Sequence, residues 1–228
     1  MHKSQIYEIT PFTMLDFGEL TACIVWFVGC NMRCIYCYNT QLVVSEGNVG
    51  YDELSEFLKS RIDKLDGVVF SGGECTQNVD FFYLAREVKR LGFKLKIDTN
   101  GSNPNILKKA IEENLIDFIA LDFKGDEKHF EFITNSNLYS NFLQSLRYLV
   151  SINFDFEVRT TVHSDFIDEK LIEKMAKILE NEGYKGTYFL QNFLYTGENF
   201  GCIGEPVSKF DPTKIKSNLK ISLRNFDK

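Results

Sequence analysis

Residues 67–98, GVVFSGGECTQNVDFFYLAREVKRLGFKLKID, decide how this chain folds. Gly67 to Ser71 is a short apolar run ahead of a glycine pair, which reads as a buried strand. Phe81, Leu84, Ala85, Val88 and Leu91 then recur at helical spacing until Gly92 stops the helix. Phe93 to Asp98 is the next strand. Two strands joined through a helix in this way lie parallel, because the crossover returns the chain to the same edge.

The alternation continues on both sides. Upstream, Thr21 to Val28 reads as a buried strand. Asp52 to Leu65 reads as a helix capped by Asp52, with Leu54, Phe57, Leu58, Ile62 and Leu65 along one face. Downstream, Asn103-Pro104 opens a helix carrying Ile106, Leu107, Ala110, Ile111 and Leu115, and the strand Ile116 to Asp122 follows. A helix over Leu138 to Val150 precedes a strand over Phe154 to Val162. A helix from Asp168, built on Leu171, Ile172, Met175 and Leu179, precedes the last strand, Thr187 to Gln191. Six strands with helical or long-loop connections predict an α/β protein with a parallel sheet. An eight-fold barrel takes about 250 residues. Six units in 228 residues therefore predict an incomplete (β/α)6 TIM-like barrel, open on one side. The pattern alone leaves a flat doubly wound sheet as the alternative. One domain over residues 1–228 is expected, with a core spanning about 18–193 and a tail from about 194 to 228.

Composition excludes several classes. Hydrophobic residues make up 44% and charged residues 25%, the balance of an ordinary globular protein. The longest apolar run, Ala22 to Val28, is far short of the roughly 20 residues that span a bilayer. Met1-His2-Lys3-Ser4-Gln5 lacks a signal-peptide core, so a cytoplasmic location and no membrane partner are expected. Lys and Arg total 26 against 32 Asp and Glu, a net charge of -6 that argues against nucleic acid as the partner.

Three of the six cysteines crowd into Gly29-Cys30-Asn31-Met32-Arg33-Cys34-Ile35-Tyr36-Cys37-Tyr38-Asn39, directly after the first strand. Cys23, Cys75 and Cys202 are scattered. Thiolates at C-x3-C-x2-C can wrap one iron–sulfur cubane and leave one iron open for chemistry. Structural zinc, with Cys23, Cys75 or His163 as fourth ligand, is the competing reading, but zinc sites more often use two C-x2-C pairs and no second pair exists. Polar groups also stand where successive strands end: Ser71-Gly72-Gly73-Glu74, Asp98-Thr99-Asn100-Gly101, Asp122-Phe123-Lys124, Arg159 and Gln191-Asn192-Phe193. Singly, each reads as a turn or a solvated strand end. Together they mark the C-terminal sheet edge, where α/β enzymes place their active sites.

The cysteine triplet with Tyr36 before its third member, followed by Gly72-Gly73-Glu74, resembles the signature of radical S-adenosylmethionine enzymes. The chain from about Thr10 to about Phe193 further resembles their glycyl-radical activating branch, above all the activating proteins of anaerobic ribonucleoside-triphosphate reductase. Segments that carry this are Thr10 to Phe17, Tyr38-Asn39, Asp98 to Gly101, Asp122 to Lys124 and Arg159 to Val162. Cys75, where proline is common, and Tyr38, where histidine is usual, depart from that branch. The resemblance implies that Cys30, Cys34 and Cys37 bind a [4Fe-4S] cluster whose open iron takes S-adenosylmethionine. One electron then cleaves the sulfonium, and the 5′-deoxyadenosyl radical takes hydrogen from a glycine of a partner enzyme. It also implies that Tyr36, Cys37 and Tyr38 contact the nucleoside and that Gly72, Gly73 and Glu74 hold the methionine end. Asp98, Asp122, Phe123, Lys124, Arg159 and Gln191 complete the implied cofactor contacts, with room for a monovalent cation by Asp98 and Asp122. For Arg159 a structural salt bridge is the equal alternative. The implied electron donor is a flavodoxin or ferredoxin. Lys89, Arg90, Lys94 and Lys96 are a candidate docking patch for it, although a solvated face explains them as well. A pyruvate formate-lyase-type activase, a small-molecule enzyme of the 7-carboxy-7-deazaguanine synthase type and a metal-bearing interaction module are the alternatives.

Overall fold

The computed structural model describes residues 4–226; Met1, His2 and Lys3 of the polar N-terminal stretch, and Asp227 and Lys228 of the tail, lie outside them. The strands are β1 (Ile6–Thr13), β2 (Ala22–Phe27), β3 (Gly67–Gly72), β4 (Lys94–Thr99), β5 (Phe118–Asp122), β6 (Phe156–Val162), β7 (Tyr188–Asn192) and β8 (Ile221–Arg224). The helices are α1 (Thr40–Val44), α2 (Tyr51–Arg61), α3 (Phe81–Arg90), α4 (Pro104–Glu112), α5 (Glu127–Thr134), α6 (Tyr139–Ser151) and α7 (Glu169–Asn181). Strand order along the sheet is chain order, and the sheet is open rather than closed on itself. β2, β3 and β4 pair in parallel, as do β6, β7 and β8. The expected α/β architecture with parallel strands is the observed one.

The six expected strands are β2 to β7, and two more flank them. β1 runs antiparallel to β2 with irregular register. Its IYEITPFT sequence is only partly buried and contains Pro11, so it carries neither an apolar run nor clean alternation. β8 has four residues, none of them fully buried, too few to show a period. α1, with five residues, and α5, with eight, are too short to show a helical period in the sequence.

The chain divides into two compact units, one holding residues up to 31, 41–99 and 105–120, the other 32–40, 100–104 and 121 onward. In the first, β2 is apolar almost throughout, as a strand covered on both faces must be. Phe70 anchors its core, edge-on to Phe27 at 5.0 Å and to Phe81 at 6.2 Å. α2 corrects the expected cap: the helix begins after Gly50, and Asp52 with Glu53 sits in the first turn, where the helix dipole favours a carboxylate. It ends at Arg61, before Asp63 turns left-handed at φ 63°, so Leu65 lies outside it. α3 stops as read, with Gly92 at φ 89°.

In the second unit Phe123 stacks on Phe142 at 4.5 Å. The Thr160 hydroxyl donates to the Phe123 carbonyl at 2.6 Å and shares a 2.7 Å hydrogen bond with the buried Tyr188 hydroxyl. Asp168 caps α7 by accepting from the Leu171 N–H. The C-terminal tail is fastened along this helix. Glu169 accepts from the Asp211 N–H at 2.7 Å, Glu173 from Lys216 at 2.8 Å and Glu180 from Asn218 at 2.8 Å. Offsets of four and eleven residues keep the three carboxylates on one stripe, opposite buried Leu171, Ile172, Met175 and Leu179. Among the described residues no helix is long and apolar enough to cross a membrane.

Candidate active site

In the first unit the glycine pair is required by close approach. A Cβ on Gly72 would strike the backbone of Phe27, and one on Gly73 would strike the carbonyl of Gly29. Gly72 also sits at φ 115°. The Gly73 N–H donates to the Phe27 carbonyl at 2.9 Å and the Glu74 N–H to the Gly29 carbonyl at 2.8 Å. The glycine turn is thus stitched to the residue that precedes Cys30. Glu74 is buried, and one of its carboxylate oxygens accepts from the Thr76 N–H, the Thr76 hydroxyl and the Thr99 hydroxyl at 2.7 Å. Such donors fix a charged carboxylate in one orientation. Asp98 accepts from Ser71 at 2.9 Å and pairs with Lys96 at 3.2 Å. Lys96 is 5% exposed and also donates to the Asp16 carbonyl, which removes it from the docking patch. Lys89 pairs with Asp117, and Arg90 with Glu87 on its own helix. Cys75 is a buried thiol facing the Asp98 carbonyl, and burial pushes it well above the usual thiol range.

In the second unit the backbone between the cysteines is held from two sides. Arg33 and Ile35 donate to the Thr134 and Ile133 carbonyls at 2.8 and 2.9 Å, the last turn of α5, which closes on left-handed Asn135. The Ile35 carbonyl accepts from the Gly201 N–H at 2.9 Å. The Cys37 N–H donates to the Cys34 carbonyl at 2.9 Å, which closes a turn between those two ligand candidates. Cys34 is buried, Cys30 and Cys37 are half-buried, and none of the six cysteines is in a disulfide.

Next to this turn lies an ion group. Asp122, at the end of β5, accepts from Arg159 Nε at 2.6 Å and pairs with Lys124 at 3.2 Å. Burial opposes its ionisation, but Arg159 and then Lys124 outweigh that and hold its pKa at about 2. The Tyr36 phenol is buried beside Lys124, Cys34, Asp122 and Cys37, and its burial raises it above the usual phenol range. Burial likewise raises the Cys37 thiol, with a backbone hydrogen bond at Asn39 and the charge of Lys124 working against the rise. Phe123 turns its ring into the core, so only its backbone stands at this edge. Gln191 is half-buried on β7, in register with Thr161 and Arg224. Tyr38 is exposed.

Cys34, Tyr36, Cys37, Asp122, Lys124 and Arg159 therefore come together in one unit, and Gly72, Gly73, Glu74 and Asp98 in the other. The sequence carries no signal for Thr76 or Gly201, and it places Thr99 in the Asp98 to Gly101 segment without its role at Glu74. α5 has only the cap signal of Asp126, whose carboxylate accepts from the His129 N–H.

The sequence profile of the radical SAM superfamily matches residues 24–191, which include all three clustered cysteines and the glycine turn. The chain belongs to the radical SAM superfamily. Enzymes of this superfamily use a [4Fe-4S] cluster with S-adenosylmethionine. A Methanocaldococcus jannaschii protein described as a candidate glycyl-radical enzyme activating enzyme is 30% identical over 78% of this chain and 77% of its own length. The pyruvate formate-lyase-activating enzyme of Clostridium pasteurianum is 27% identical over 79% and 78%. Other relatives carry other names, among them an AdoMet-dependent heme synthase of Methanosarcina barkeri. The fold is shared with SuiB of Streptococcus suis bound to S-adenosylmethionine, at TM-score 0.63, 17% identity and 88% coverage of this chain. This chain spans about half the length of that structure, 51%. The donor chemistry suits the superfamily's cluster: Cys30, Cys34 and Cys37 lie within eight residues of sequence, none of them in a disulfide, and thiolate is the ligand such a cluster takes.

Proposed function

We propose that this radical SAM enzyme is an activase that places a glycyl radical on a partner enzyme, with anaerobic ribonucleoside-triphosphate reductase as the partner. The observation that carries the reading is similarity along more than three quarters of both chains to relatives named as such activases. Cys30, Cys34 and Cys37 hold the cluster, which supplies the electron that splits S-adenosylmethionine into methionine and the radical that takes a hydrogen atom from a glycine Cα. Gly72 and Gly73 let backbone lie close to the methionine end, and Glu74, oriented by Thr76 and Thr99, accepts its ammonium. Lys124 and Arg159 keep Asp122 ionised at the ribose side. Tyr36, Tyr38 and Gln191 contact the nucleoside. The enzyme works as one catalytic domain in the cytoplasm and takes electrons from a flavodoxin or ferredoxin.

The test is anaerobic reconstitution and reduction, followed by S-adenosylmethionine and the host's anaerobic reductase, with electron paramagnetic resonance as the readout. A glycyl-radical doublet with 5′-deoxyadenosine released in proportion is the expected result. 5′-Deoxyadenosine without the doublet removes the reductase as partner and moves the search to another glycyl-radical enzyme or to a small molecule. A fully loaded cluster that yields neither overturns the activase reading.

A further inference from the structure

The tail does more than trail from the last core strand. After β7 it passes the cysteine segment, touching it at Arg33 and Ile35 and touching Thr40 just beyond it. Glu198 accepts from the Thr40 hydroxyl at 3.2 Å, the Phe200 ring lies under the Arg33 guanidinium at 5.4 Å, and the Gly201 N–H donates to the Ile35 carbonyl at 2.9 Å. Asn199, 7% exposed, locks the turn that presents Gly201. Its amide donates to the Ile203 carbonyl at 2.7 Å, and its carbonyl oxygen accepts from the Ile203 N–H at 2.8 Å. Beyond the turn, three consecutive residues after β6 fasten the tail: His163 to the Gly204 carbonyl at 3.0 Å, the Ser164 hydroxyl to the Ser208 carbonyl, and the Asp165 carboxylate to the Val207 and Ser208 N–H groups.

We propose that residues 198–204 form a strap that sets the conformation of the cysteine segment, with Gly201 as its positioning residue. α5 supplies acceptors for the amides of Arg33 and Ile35, and the strap supplies the donor for the Ile35 carbonyl. Cys34 is thereby flanked on both sides by residues whose backbone is held. Gly201 is required by proximity: a Cβ there would meet the Ile35 carbonyl oxygen at 2.7 Å and the Ile35 Cβ at 2.8 Å. Any side chain at this position pushes the strap off the segment or the segment off its place. Contacts outside the ligand set orient the ligands, and losing one changes metal affinity or activity about 10- to 100-fold.

The proposal rests on the cluster reading, and the test separates the two. Full-length wild type, Gly201→Val and Asn199→Ala are compared by melting of the metal-free chain, by iron and sulfide content after anaerobic reconstitution, by the paramagnetic resonance spectrum of the reduced cluster, and by reductive cleavage of S-adenosylmethionine. Gly201→Val is expected to melt near wild type, to hold iron about 10-fold more weakly, to give a shifted spectrum, and to cleave the cofactor on the order of 100-fold more slowly. Asn199→Ala keeps the glycine but frees its turn, and is expected to show the same changes to a smaller degree. It decides the matter if the valine variant fails to fold. Wild-type iron content, spectrum and cleavage rate in every variant that folds overturn the strap. A wild type that holds no iron overturns the cluster reading and this proposal with it.

Discussion

At the scale of single residues, position in the chain separates the cysteines. Cys23 and Cys75 are buried thiols outside the cysteine segment, and burial pushes Cys23 up to about 12. Cys34→Ala should abolish iron binding, whereas Cys75→Ser and Cys202→Ser should leave iron per chain unchanged, all measured after anaerobic reconstitution. Glu74 is held by two threonine hydroxyls and an amide, so Glu74→Gln keeps the shape and removes the charge. We expect it to weaken S-adenosylmethionine binding by about 2 kcal/mol with a normal cluster, a change that calorimetric titration would resolve. Asp122 titrates near 2 when folded against an unfolded value of 3.8, so its lowered pKa stabilises the fold fully above pH 3.8. That contribution is lost as pH falls through about 2. In Asp122→Asn it is absent throughout, and Arg159 and Lys124 are left without their carboxylate, at a cost of about 3 kcal/mol in denaturant unfolding.

At the scale of elements, turns and helix ends govern the site more than helix or strand interiors do. The glycine turn is legible as a motif, but its reason is visible only where β2 ends, because Phe27 and Gly29 fill the space a side chain would need. Gly73→Ala should therefore displace the Gly29 carbonyl and lose the Glu74 N–H bond to it. The expected reading is a loss of both S-adenosylmethionine affinity and iron retention, checked by titration and metal analysis, where Glu74→Gln loses only the first. α5 shows how an element escapes a residue reading. It is eight residues long, and its buried positions, Phe130, Ile133 and Thr134, are too few to set a period against the polar remainder. Its final carbonyls nevertheless hold the cysteine segment.

At the scale of the whole molecule, the tail is where the sequence reading fell furthest short. Residues 194–226 contain few apolar side chains in any period, and they are ordered by acceptors supplied elsewhere: Asp165, Glu169, Glu173 and Glu180. Hydrogen bonds from Ser208 and Val207 hold Asp165 at about 2, and the Asn218 N–H, then Lys177, hold Glu180 at about 2. Both values lie below the ordinary carboxylate range, so this fastening is complete above about pH 4.5 and is lost as pH falls through about 2. The Val207, Ser208 and Asn218 amide resonances should titrate with midpoints near 2. Midpoints at ordinary carboxylate values would show that the tail is not held this way.

The sequence by itself determined the alternation of strands and helices, the polar strand ends and the cysteine spacing, because each is written in neighbouring residues through period, capping or ligand geometry. It also determined membership of the superfamily, since the cysteine triplet and the glycine turn are local. Only the tertiary structure decided that Lys96 is buried against Asp98, that Arg159 serves Asp122, and that the tail reaches back to Ile35. Those contacts join residues from two to more than a hundred and sixty positions apart, and they depend on a backbone donor or a charge meeting its partner in space. No pattern along the chain encodes that meeting, because a backbone N–H is the same at every residue and only the fold decides which carbonyl it faces.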